Sequence, residues 1–164
     1  MAEVVWKSDG TLNGFSDMVK RLNNEIQAIK GRSMKGLIRA SVLVRRDMEN
    51  TPPLIPLDTG NLRASYYTVT AFTVSQGGTP SFKGEDADRL AFEHQAEVFE
   101  AQGVAHSIDP IVVMGFSAHY AVAVHENMEA EFQRPGAGPK FFENALQRNT
   151  SEMLRIIQQE AQIK

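Results

Sequence analysis

Along the first third of the chain, apolar residues recur at Phe15, Val19, Leu22, Ile26, Ile29, Leu37, Ala40, Val44 and Met48, at steps of three, four or their sums. At about 100° per residue these positions share one face, with Ser33 as its one polar member. The stripe passes Gly31 and Gly36 without losing phase. It therefore predicts one helix over 12–49 in preference to two collinear helices meeting near Gly31. Asn50-Thr51-Pro52-Pro53 ends it, because a proline disfavours helix in the residue before it. Residues 54–60 read as an extended surface connector, and 61–64 as a single helical turn. Ser65 to Ser75 is rich in β-branched and aromatic residues, with Tyr66, Thr68, Thr70, Phe72 and Val74 alternating onto one side, and predicts a strand.

A Gly/Pro/Ser-rich loop over 76–84 precedes a helix-prone stretch, 85–102, in which Leu90, Ala91, His94, Val98 and Ala101 share a face. Further strands are expected at 108–116 and 119–125, and a short one at 3–6. Residues 127–138 return to loop chemistry. Pro139 is placed to open a last helix reaching about 163, with Phe142, Ala145, Leu146, Met153, Ile156 and Ile157 inward. The expected fold class is α+β: a long N-terminal helix and a C-terminal helix packed on a small antiparallel sheet. One domain spans 1–164, with an insertion at about 76–107 that is expected to be its least ordered part and to add little to the core.

Composition narrows this picture. A chain of 164 residues, 42% hydrophobic and 23% charged, can close a core on its own. No apolar run is long enough to span a membrane, and the first ten residues lack the basic start and apolar run of a secretory signal. Without cysteine there is no disulfide, thiolate metal site or cysteine nucleophile, and intracellular synthesis is the simplest expectation.

Several residues invite a chemical reading. Asp58-Thr59-Gly60 matches the triplet of aspartic proteases, in which two aspartates share a proton and activate water. One copy implies a homodimer with Ile111 to Gly115 as the apolar partner segment. Yet those enzymes are almost wholly β, and the triplet is equally turn and cap chemistry. His119 and His125, beside Glu126, would share one side of the 119–125 strand. A metal site needs three or four converging ligands, but His94 and His106 lie in the insertion and no HExxH or similar helical spacing occurs. Neither a phosphate-binding glycine loop nor a nucleophile elbow is present. No catalytic residue, metal or cofactor is expected.

Charge is more informative. From Lys20 to Arg46 there are eight bases against Glu25, a net +7, and from Glu85 to Glu100 six acids against Arg89, a net −5. Arg21, Arg32, Lys35, Arg39 and Arg46 form a line on the wheel away from the apolar face. They suit an acidic partner surface or DNA phosphates. Glu85, Asp86, Asp88, Glu93, Glu97 and Glu100 form the candidate acidic counterpart.

Three segments together resemble the neck, or tail-completion, proteins of tailed bacteriophages. Thr51-Pro52-Pro53 and then Asp58-Thr59-Gly60-Asn61-Leu62-Arg63-Ala64-Ser65 is similar to that family's proline followed by Thr-Gly-x-Leu-Arg-x-Ser. His119-Tyr120-Ala121 through Glu126 is similar to its Tyr-Ala-x-x-x-Glu with one residue more before the glutamate, and Pro139 to Leu146 to the Pro-Phe-x-x-x-Ala opening of its last helix with Lys140 between proline and phenylalanine. Asn127 stands where a glycine commonly follows the glutamate, and the 76–107 insertion is longer than the family pattern. The resemblance implies a structural subunit of the head–tail junction, in a homo-oligomeric ring around the DNA channel. Its neighbours would be connector or adaptor and tail-terminator or tail-tube proteins, in the virion and, during assembly, in the host cytoplasm. It implies no cofactor and no membrane contact. Asp58, Thr59 and Gly60 would shape the turn, Leu62 would be buried and Arg63 would hydrogen-bond locally. The alternatives are the homodimeric protease on Asp58 and a DNA-binding module on the basic stripe.

Overall fold

The structure is a computed structural model that describes residues 13–71, 74–75 and 80–162, with side chains at 17–71 and 80–162. The expected strand at 3–6 lies outside the described residues. The elements in chain order are α1 (Asn13–Asn50), α2 (Asn61–Ala64), β1 (Tyr66–Val69), β2 (Val74–Ser75), α3 (Ala87–Ala105), β3 (Val113–Phe116), α4 (Ala121–Glu126) and α5 (Phe141–Ala161). Two long helices and a small antiparallel sheet make the architecture α+β, as the pattern predicts.

α1 is one uninterrupted helix, so the continuous stripe outweighs the two internal glycines. α5 packs antiparallel along its C-terminal half. Arg148 joins the pair by bonding Asp47 Oδ2 from Nη2 at 2.5 Å and the carbonyls of Pro52 and Thr51 at 3.0 and 3.3 Å. Those bonds occupy carbonyls just past the helix end, where no further turn supplies donors. At the other end of the contact Lys35 pairs with Glu160 at 3.1 Å, and Arg39 pairs with the same carboxylate. Gly36 allows the closest approach: a Cβ there would stand 2.9 Å from the Cα of Ile157.

The sheet has the order β2-β1-β3, antiparallel throughout, with Thr68 opposite Ser75 and Tyr67 opposite Gly115. The single strand expected over 65–75 is instead a hairpin, because the chain turns back after Val69. The 108–116 strand shortens to 113–116. The expected strand at 119–125 is a helix, α4. Ala121 is buried, Val124 half-buried and Val122 exposed, which is a helical spacing. The connector 54–60 is also more than surface. Ile55 is fully buried and joins Val44, Met48, Leu62, Phe141 and Ala145 in the main core.

The insertion is the largest correction. α3 buries Leu90, His94, Val98, Ala101 and Ala105, so it is a core element rather than a loosely attached one. β1 alternates between two layers. Tyr66 and Thr68 face α1, linked by a 2.7 Å bond from the Thr68 hydroxyl to the Tyr66 oxygen. Tyr67 and Val69 face α3, where they pack with Val98 and Ala101. All four β1 residues are consequently buried.

Candidate functional site

The Asp58-Thr59-Gly60 triplet builds a helix start. Gly60 sits at φ 89°, a conformation costly to any residue with a Cβ, and its carbonyl accepts the Ala64 N–H at 2.9 Å. Thr59 Oγ1 accepts the Asn61 N–H at 3.3 Å. The Asn61 amide then locks the turn to the loop before α3, donating to the Lys83 carbonyl and accepting from the Lys83 N–H, both at 2.8 Å. Leu62 is buried, as the resemblance implies. The Asp58 carboxylate is exposed at the edge of a cleft.

Arg63 reaches further than its own turn. Its Nε donates to Glu49 Oε1 at 2.8 Å, and Arg45 pairs with the same oxygen at 2.8 Å. Arg134 approaches Glu49 Oε2 at 3.5 Å and donates to the carbonyls of Ile55 and Glu49 at 2.9 and 3.1 Å. Three arginines from three segments thus meet one carboxylate on the last turn of α1. The sequence pointed only to Arg63. Glu49 and Arg134 are 85 residues apart, and no local pattern announces that pairing.

Beside this hub lies a cleft of about 800 Å³ between α1, the 57–60 turn and the α1 side of β1. Arg45, Arg46, Arg63 and Lys83 line it with Asp58 as the one acid; Arg45 and Arg63 already share Glu49, so Arg46 and Lys83 are its cations without an ion pair among the described residues. Its floor is apolar, from Ile38, Val42 and Leu57. The Arg45 guanidinium stacks 4.4 Å over the Tyr66 ring, which favours a cation electrostatically.

The basic stripe is divided among several tasks. Arg32 turns to Glu25 at 2.9 Å along α1, and Lys35 and Arg39 hold Glu160. Those two cations keep the Glu160 carboxyl below its usual range, Lys35 contributing most. Reversing Arg32, Lys35 and Arg39 would therefore disturb the α1–α5 contact itself. Among the described residues Arg21 and Arg46 form no ion pair, and only Arg46 faces the cleft.

The acidic set also divides. Glu93 accepts from Arg89 and His119 at 2.8 and 2.9 Å, and these bonds lower its pKa, that from His119 foremost. Glu97 accepts the Tyr67 hydroxyl at 3.2 Å. Burial, then the Glu97 charge, pushes that phenol up to about 12, so it stays a donor. Asp88 lies in the first turn of α3, where its charge complements the helix dipole. Glu85, Asp86, Asp88 and Glu100 are exposed and make no ion pair among the described residues.

Of the histidines, His119 and His125 do not share a side. One precedes α4 and pairs with Glu93, and the other ends α4 beside Glu126 at 2.8 Å. Among the described residues no three metal-ligating side chains gather. His94 is buried, and its Nδ1 lies 2.7 Å from Ser117 Oγ, which itself donates to the Ser65 carbonyl at 3.2 Å. Ser117 can then only accept, so Nδ1 carries the proton and Nε2 keeps a lone pair with no partner. Burial lowers the His94 pKa, opposed by the Ser65 backbone contact.

Two aromatics escape the sequence reading. Phe92 and Phe99 on α3 are 74% and 78% exposed. The available signal is their phase: they lie about 150° around the helix from the middle of the buried face. No helix among the described residues is long and apolar enough to cross a membrane. No protein family, curated protein or solved structure matches the chain.

Proposed function

We propose that this chain is a structural subunit of a tailed-phage head–tail junction, assembling as a ring between head connector and tail around the DNA channel. One observation carries the reading. The three sequence segments similar to neck proteins, far apart in the chain, meet around a single core. Leu62 comes from the first, Ala121 and Tyr120 from the second, Phe141 and Ala145 from the third. The second and third are also joined directly, because the Lys140 N–H donates to the His125 carbonyl at 2.8 Å and Lys140 Nζ holds Glu126.

The protease alternative draws less support. Asp58 stands on an exposed turn beside helices, whereas aspartic proteases bring two such triplets together between β lobes. The DNA-binding alternative loses three of the five stripe cations to carboxylates of the same subunit. Complementation tests the reading. A phage lacking this chain is expected to yield filled heads and finished tails that do not join, with joining restored by adding the purified protein. Asp58→Asn should restore it as well as wild type. Loss of rescue with Asp58→Asn, accompanied by an unprocessed polypeptide, would favour the protease.

A further inference from the structure

The outer face of α3 and the basic cleft are complementary, and we infer that α3 of one subunit docks in the cleft of a second copy of this chain. The inference rests on the ring reading and specifies its contact. Phe92 and Phe99 are seven residues apart, two turns or about 10.5 Å along the helix, so both rings project from one side. Small Ala96 and Gly103 share that side. Asp88 and Glu100 flank it, Glu85 precedes the helix, and none of the three makes an ion pair among the described residues. This is an apolar ridge with an acidic border.

The cleft has the opposite form. Its floor presents Ile38, Val42 and Leu57, which are 37%, 51% and 38% exposed. Around that floor stand Arg46 and Lys83, which make no ion pair among the described residues, and Arg63, which also holds Glu49. An apolar ridge bordered by acids fits an apolar floor bordered by bases, with the charges steering encounter and register more than affinity. Two buried phenylalanines contribute roughly 300–500 Å², about half of the roughly 800 Å² per partner of a stable interface.

A subunit does not bring its own ridge to its own cleft. Tyr66 and Thr68 line the cleft on one side of β1, whereas α3 packs on Tyr67 and Val69 on the other. Two different surfaces on opposite sides of the sheet make a heterologous contact, and such contacts close into rings when the rotation allows.

Two sets of variants test this in the full chain. Phe92→Ser with Phe99→Ser spoils the ridge and keeps the cleft, and Val42→Asp spoils the cleft and keeps the ridge. All three residues are exposed, so circular dichroism should show both variants folded. Each alone is expected to lose self-association by at least about tenfold, measured by light scattering on a sizing column. Mixed in equal amounts, the two should form a heterodimer and nothing larger, because only one good interface remains. The chain has no native cysteine, so Val42→Cys and Phe99→Cys variants should cross-link with each other under mild oxidation but not with themselves. Association of Val42→Asp as strong as wild type would mean that ridges pair with ridges, and overturns the inference. A wild-type chain that stays monomeric at every concentration overturns it too. Wild-type rings that persist in both variants reject this contact while leaving the ring reading intact.

Discussion

Between residues 36 and 48 the apolar stripe of α1 lies beneath α5 and the core, with Ala40, Val44 and Met48 buried. Between 17 and 30 the same stripe continues in the same phase, yet Leu22 remains 50% exposed and Val19, Ile26 and Ile29 are only half-buried. The reason is length. α5 ends at Ala161, level with Lys35 through the Glu160 pair, so α1 runs on for roughly 20 residues, about 30 Å at 1.5 Å per residue. The difference teaches that periodicity names the face a helix means to cover, whereas the cover itself depends on how far its neighbour extends. α3 repeats the contrast across its width: Leu90, His94 and Val98 are enclosed, and Phe92 and Phe99 are not.

Truncations at the two ends of the stripe should give the widest separation. Met48→Ala removes a fully enclosed side chain, and urea unfolding should show a loss of about 2–5 kcal/mol. A drop under about 1 kcal/mol would mean that the core at this end is looser than described. The glycines of α1 sharpen the contrast next. Gly31 has open space where a Cβ would go, so Gly31→Ala should stabilise by up to about 1 kcal/mol through helix propensity. At Gly36 the same change meets the α5 backbone and should destabilise by about 1–3 kcal/mol despite that propensity gain. Thermal melts of the pair should therefore shift in opposite directions.

A pH effect marks the covered face of α3. The folded pKa of His94 lies below its ordinary 6.5, so the unfolded chain binds more protons between the two values. The stability contributed by neutral His94 is complete above 6.5 and is lost as pH falls below it towards the folded value. Near His94 the described neighbours are Ser117, the Ser65 carbonyl and the Tyr67 and Phe82 rings, none of which supplies a carboxylate. His94→Gln should flatten the stability profile over that range, and an unchanged slope would assign it to other groups. The smallest effect belongs to the uncovered half: Leu22→Ala in the isolated subunit should change stability by no more than about 0.5 kcal/mol.

The helices were the most legible part of the fold, because α1 and α5 carry long amphipathic stripes whose phase survives local exceptions. Short elements were less so. Tyr120 to Val124 is apolar at every position, so its sequence carries no period, and the burial of Ala121 beside exposed Val122 and Ala123 is what marks a helix. The hairpin after Val69 was hidden because Ser65 to Ser75 is uniformly strand-like. Of the candidate surfaces, the acidic run lies on and just before α3, while the exposed phenylalanines of that helix looked like ordinary helix content. The basic stripe was visible as a line of charge, but the partners of Lys35 and Arg39 come from Glu160, which is 121 residues from Arg39. A sequence shows which charges lie on one face of a helix; tertiary packing decides which of them remain available.

The most direct test of the junction reading is a reconstruction of intact particles by electron microscopy, with this chain located by a tag on its C-terminus. A closed ring of the chain around the DNA channel, between the head vertex and the tail, is the expected result, with α3 of each copy seated in the cleft of the next. Particles that contain no copy of the chain, or that carry it elsewhere than between head and tail, would contradict the account.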